Sequence, residues 1–100
     1  MTPGRRRDYF WKPGADERVF RTVPRFHFNL FNDMDILDKE GIELPDLGAA
    51  VDAASGMARD MAAQSVRTGR LTLHHRIEVA NENGETVATI CYGDVVEVRH

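Results

Sequence analysis

Between Pro45 and Gly69 the sequence accommodates one kind of element. Leu47, Ala50, Val51, Ala54, Met57, Ala58, Met61, Ala62 and Ser65 recur at spacings of three and four, while Asp52, Ser55, Arg59, Asp60, Gln64 and Arg67 fall on the other side. This spacing predicts an amphipathic helix of about five or six turns. Proline disfavours helical geometry at Leu44, and the short Asp46 carboxylate suits the free N–H groups of a first turn, an effect of about 1 kcal/mol. Gly69 suits a left-handed cap at the other end, with Arg67 complementing the negative end of the helix dipole. Gly56 inside the helix costs about 1 kcal/mol relative to alanine, and its expected reason is close packing on a sheet.

Both flanks of the helix alternate. In "PRFHFNLF", Phe26, Phe28 and Leu30 share one face and His27, Asn29 and Phe31 the other, as in a first strand. "NDMD" supplies turn residues, a short second strand returns around Ile36 and Leu37, and Lys39-Glu40-Gly41 turns the chain again. After the helix, Leu71, Leu73, His75, Ile77 and Val79 alternate with Thr72, His74, Arg76 and Glu78. Asn83-Gly84 centres a hairpin turn. "TVATICY" has apolar residues on both faces, the pattern of a strand that is central or covered on both sides. The tail "DVVEVRH" fits either a short helix or a last edge strand.

The predicted fold class is therefore α+β: a small, mostly antiparallel sheet in the order strand, strand, helix, strand, strand, with the amphipathic helix packed on one face. With 42% hydrophobic and 29% charged residues, the 100-residue chain is long enough for a single modest core. The expected organisation is a basic, flexible extension over 1–22 and one α+β domain over 23–100. A lone cysteine, Cys91, excludes an intramolecular disulfide and fits a reducing compartment. No stretch approaches the ~20 apolar residues of a membrane span, and the first residues lack the apolar run of a secretory signal, so the expected location is the cytoplasm.

Charge is unevenly spread beneath the net value of -3: residues 1–25 carry seven Lys or Arg against three Asp or Glu, whereas residues 26–68 carry three against eight. An acidic body argues against a broad phosphate-binding surface, because duplex binding draws on Lys and Arg releasing counterions. In the leader "GRRRDYFWKPG", Arg5, Arg6 and Arg7 beside Trp11 would make a nucleic-acid arm, with phosphates held by the guanidinium groups and bases stacked on the ring. The plainer reading is a disordered tail broken at Pro3-Gly4 and Pro13-Gly14.

The sequence contains no catalytic constellation. Asp33, Asp35 and Asp38 invite a calcium-loop reading, but in that register Asp38 stands where glycine is needed and Leu44 where glutamate is needed. His74 and His75 are adjacent, so on a strand they face opposite sides, and His27 can approach one of them only if the first and third strands are neighbours. Ser55 and Ser65 lack a nucleophile-elbow context, and no base is evident for Cys91. The expectation is therefore no enzyme, no cofactor and no metal.

Two stretches together carry a resemblance. The elbow "DKEGIELPDL" and the later "RIEVANENGETV" resemble a family of small bacterial proteins, domain-of-unknown-function family 6894, over about residues 23–96. Asp38, Glu40, Gly41, Glu43, Leu44, Pro45, Asp46 and Leu47 match its elbow, and Glu78, Val79, Glu82, Gly84 and Val87 its hairpin. The resemblance implies no activity. It places Val23-Pro24-Arg25 where members begin with Met-Pro-Arg, which implies that residues 1–22 are an upstream mis-start.

Two function classes follow. The first is a non-enzymatic protein-interaction or regulatory module whose partner is a protein, either another chain or a second copy. It would act through a sheet edge or face, or through an elbow lined by Asp38, Glu40, Glu43 and Asp46 that favours a basic partner. The structural alternative for the elbow is a helix start, capped by Asp46 and pinned to the sheet by Leu44 and Leu47. The second class is a nucleic-acid-binding module using the basic arm, antitoxin-like in view of a loose fold-level similarity to HicB-type antitoxins.

Overall fold

The computed structural model describes residues 23–99. Along the chain lie β1 (Arg25–Phe31), β2 (Asp35–Ile36), β3 (Ile42–Glu43), α1 (Leu47–Arg67), β4 (Arg76–Ala80), β5 (Thr86–Cys91) and the short α2 (Tyr92–Val95). The order matches the α+β expectation with one addition, the two-residue β3. Four strands run antiparallel in the order β2-β1-β4-β5, and β3 pairs with the first two residues of β1 while β2 pairs with the last two.

The core lies between one sheet face and α1. Phe26, Phe28 and Leu30 of β1 meet Ile77 and Val79 of β4 and Ile90 of β5, and the helix lays Ala50, Ala54, Ala58 and Ala62 over them. Four alanines in a four-residue repeat keep the helix surface thin, so its backbone approaches the sheet closely. Met57 and Met61 flank this stripe and are only partly buried, while Leu47 is exposed, a departure from the expected apolar face. Leu44 does pack against the core, and its N–H donates to Pro24 O at 3.0 Å, which ties the helix entry to β1.

Both helix ends are built as the sequence suggests. Asp46 Oδ1 accepts from Ala49 N at 2.8 Å. At the far end Gly69 N donates to Val66 O and Arg70 N to Ser65 O, the paired bonds of a Schellman motif, with Gly69 at φ +93°. Gly56 has a different setting from the one expected. Nothing lies within 4 Å of where its Cβ would stand, so close packing does not explain it. Gly56→Ala is expected to raise stability by about 0.5–1 kcal/mol through helix propensity, read as a higher melting temperature; a lower one would reveal a packing constraint.

Two strand expectations are corrected. The alternation over 71–79 becomes a strand only from Arg76; residues 71–75 form a turn in which Leu71 reaches the core but Leu73 is exposed. Second, β5 is an edge strand, not a central one. Its apolar residues on both faces arise from a register shift that sets Ala80 opposite Thr86 and Val79 opposite Ala88, leaving Val87 as an extra, exposed residue. Of the two readings left open for the tail, a short helix is found at its start: α2 runs through Val95, and its Tyr92 is buried against the core. Burial pushes the Tyr92 hydroxyl up, the Asn32 side chain opposes this by hydrogen bonding, and the Asp33 carboxylate adds to the rise.

Candidate functional site

The elbow is the most specific feature of the sequence, and its side chains are engaged with backbone. Asp38 sits between β2 and β3, where the edge of β1 would otherwise lack a partner. Its Oδ2 accepts from Phe28 N at 3.0 Å, and its Oδ1 from Gly41 N at 3.0 Å and Glu40 N at 3.2 Å. Asp38 N in turn donates to Asn29 Oδ1, and Asp38 O accepts from His27 Nδ1, both at 2.9 Å. The carboxylate thus replaces a missing stretch of strand. Gly41 completes the arrangement at φ +73°, where a Cβ would stand 2.8 Å from Phe26 O.

The other elbow residues divide between structure and surface. The Arg25 guanidinium donates to Glu40 O at 2.8 Å and meets Glu43 Oε2 at 3.1 Å, clamping β3 to the start of β1. Asp46 is the helix cap. Glu40 is exposed and takes part through its backbone. Arg5, Arg6, Arg7 and Trp11, the expected nucleic-acid arm, lie outside the described residues, as does the whole 1–22 extension.

Burial pushes the Asp38 carboxyl up, yet the N–H groups of Gly41, Phe28 and Glu40, helped by the field of His27, outweigh it and hold the group below its ordinary value. A depressed carboxyl contributes its full stability above its unfolded pKa and loses it as pH falls through the folded one. Acid is therefore expected to weaken the fold below about pH 4, and Asp38→Asn to flatten that loss. Denaturant melts from pH 7 to pH 2 check this; an identical acid slope in the variant would contradict it.

His27 does not converge with His74 and His75, whereas those two lie in a turn rather than on opposite sides of a strand, with their rings edge to face and centroids 5.5 Å apart. β1 and β4 are neighbours, but their register sets His27 opposite Ala80 and Phe31 opposite Arg76, so His27 lies at the far end of the sheet from His75. His75 is largely buried, edge-on to Tyr92 with ring centroids 5.6 Å apart, and its Nε2 lies 3.6 Å from Asp33 Oδ1. With Ser65, Thr68, Arg70 and Thr72 this pair lines a small polar cleft of about 80 Å³. Among the described residues, no group of three or more His, Cys, Asp or Glu side chains is arranged to hold a metal ion. A larger, open cleft of about 390 Å³ lies on the sheet face away from α1, bordered by His27, Asn29, Leu37, Lys39 and Ala80. Two polar side chains on its wall, His27 and Asn29, are already bonded to the Asp38 backbone.

The two sheet edges differ sharply. On the β1 side the edge is cut into two-residue pieces and carries Asp35, Lys39, Glu40 and Glu43 around the Asp38 plug, devices that discourage pairing with another chain. The β5 edge is continuous apart from the bulge at Val87, and Thr86-Val87-Ala88-Thr89-Ile90-Cys91 contains neither charge nor proline. Tyr92 N donates to His75 O at 2.8 Å, and N–H direction alternates along a strand, so Ile90 and Ala88 also face β4 while Thr89 turns its N–H and C=O outward. Cys91 N is satisfied by Asp94 Oδ2 at 2.8 Å, which ends the free edge at that point. The sequence hid this site because apolar residues on both faces mimic a covered strand. The extra residue before the alternation resumes at Ala88 is the signal that would have marked it.

A family model described as a domain of unknown function, DUF6894, matches residues 25–93. Its span covers the elbow, α1 and the β4–β5 hairpin, in agreement with the resemblance carried by those segments. Neither a curated protein nor a solved structure matches the chain. Among the described residues, no helix is long and apolar enough to cross a membrane.

Proposed function

The chain belongs to the DUF6894 family, and from that premise we propose that it is a cytoplasmic, non-enzymatic protein-interaction or regulatory module that docks a partner strand along β5. The observation that carries this reading is the contrast between the sheet edges. One is interrupted and charged; the other offers an uncharged strand with the N–H and C=O of Thr89 directed outward. An added strand gains main-chain hydrogen bonds there, and the exposed Val87 beside it adds apolar contact. The acidic elbow serves this function indirectly, by closing the other edge.

The test is capture by the tagged full chain from native lysate, with and without nuclease. A nuclease-resistant protein retained in stoichiometric amount, lost with Thr89→Pro and kept with Glu40→Gln, supports the reading. Nucleic acid whose digestion strips all other bound material contradicts it and assigns the function to the basic arm instead.

A further inference from the structure

We propose that the strand docked on β5 is the β5 of a second copy of this chain, paired antiparallel about a two-fold axis at Thr89; this rests on the interaction reading above and names its partner. The argument begins from symmetry. An isologous interface must complement itself, so residues equidistant from the axis face each other. About Thr89 the strand is a palindrome in physical type: Ala88 faces Ile90 of the other copy on the helix side, and beyond them the bulge residue Val87 comes level with Cys91. Every pair is apolar or neutral.

The hydrogen-bond pattern selects the same axis. Thr89 is the outward-facing residue whose N–H and C=O point away from β4, so a Thr89–Thr89 pair forms two reciprocal bonds across the axis. The N–H of Cys91 is occupied by Asp94, so a register centred on Ile90, which pairs each outward Thr89 with Cys91, leaves Thr89 C=O without its donor, whereas the Thr89 register keeps both central bonds and forgoes only the outer bond from Cys91 N–H to Val87 C=O. The charges flanking the strand are also engaged: Glu85 Oε1 accepts from Asn81 Nδ2 at 2.8 Å, and Asp94 is bonded to Cys91 N. On the helix side, Ile90 is buried and Ala88 partly so, and the joined strands would carry the two cores toward each other as one continuous sheet.

The experiment is sedimentation equilibrium of the full chain over a wide concentration range. The wild type is expected to pass from one-chain to two-chain mass. Thr89→Pro removes the outward N–H without touching the β4 ladder and should leave a monomer with an unchanged far-UV spectrum. Should that variant fail to fold, Thr89→Lys places two ammonium groups at the axis and should raise the dimer dissociation constant at least about tenfold. A wild type that stays monomeric throughout, or a dimer that neither substitution weakens, overturns the proposal. A monomeric wild type that still captures a different protein through Thr89 would overturn the second-copy assignment while leaving the interaction reading intact.

Discussion

Asp38→Ala is expected to lower the unfolding free energy by about 2–4 kcal/mol, because three backbone N–H groups lose a charged acceptor at once. Phe28 N suffers most, since it belongs to a core strand and no main-chain carbonyl stands ready to replace the carboxylate. Loss of Asp38 also frees the loop whose backbone holds His27 and Asn29 in place. Asp38→Asn keeps the shape and one acceptor oxygen, so it should cost about half as much. Chemical denaturation at pH 7 measures both, and a loss below about 0.5 kcal/mol for the alanine variant would mean that water substitutes freely for the carboxylate.

The second large effect is expected on the helix. Ala58 is fully buried against the sheet, so Ala58→Asp places an unpaired charge in the core. The penalty is several kcal/mol, comparable to the total stability of roughly 5 kcal/mol typical of a domain this small, so cooperative unfolding should disappear. Ala58→Leu tests the thinness of the alanine stripe separately, at an expected cost of about 1–3 kcal/mol from overpacking. Ala63→Asp, on the exposed side of the same helix, should change stability by no more than about 0.5 kcal/mol. A cooperative melt for Ala58→Asp near the wild-type temperature would show that a different helix face meets the sheet.

The helix was legible in the sequence because its signals are local. Asp46 bonds three residues ahead, and Gly69 sits where the Schellman geometry needs a left-handed residue. β1 was legible because seven residues alternate without interruption. Asp38 was not, because its carboxylate reaches Phe28, ten residues back in the chain. No periodicity encodes a side chain that takes the place of backbone. The same holds for β3, two residues long and fixed by the Arg25 clamp. Leu73 misled for a different reason: its parity continues that of Ile77 and Val79, but Leu73 and His75 belong to the turn whose carbonyls receive Gly93 N and Tyr92 N.

The elbow therefore reads as architecture, and the proposed docking surface is the edge that, among the described residues, is left unpaired. Asp38, Arg25 and Gly41 close one side of the sheet with side-chain chemistry; β5 keeps main-chain chemistry available on the other. On the proposed reading, this division explains why the most distinctive residues of the chain need not be the ones that touch a partner.

Residue-resolved amide hydrogen exchange, recorded on the full chain alone and in its associated state, tests this division most directly. Phe28 N–H should be protected in both states, and Thr89 N–H should exchange freely in the isolated chain and become protected on association. Protection gained at Glu40 and Glu43 with Thr89 unchanged would place the partner on the elbow and contradict the account.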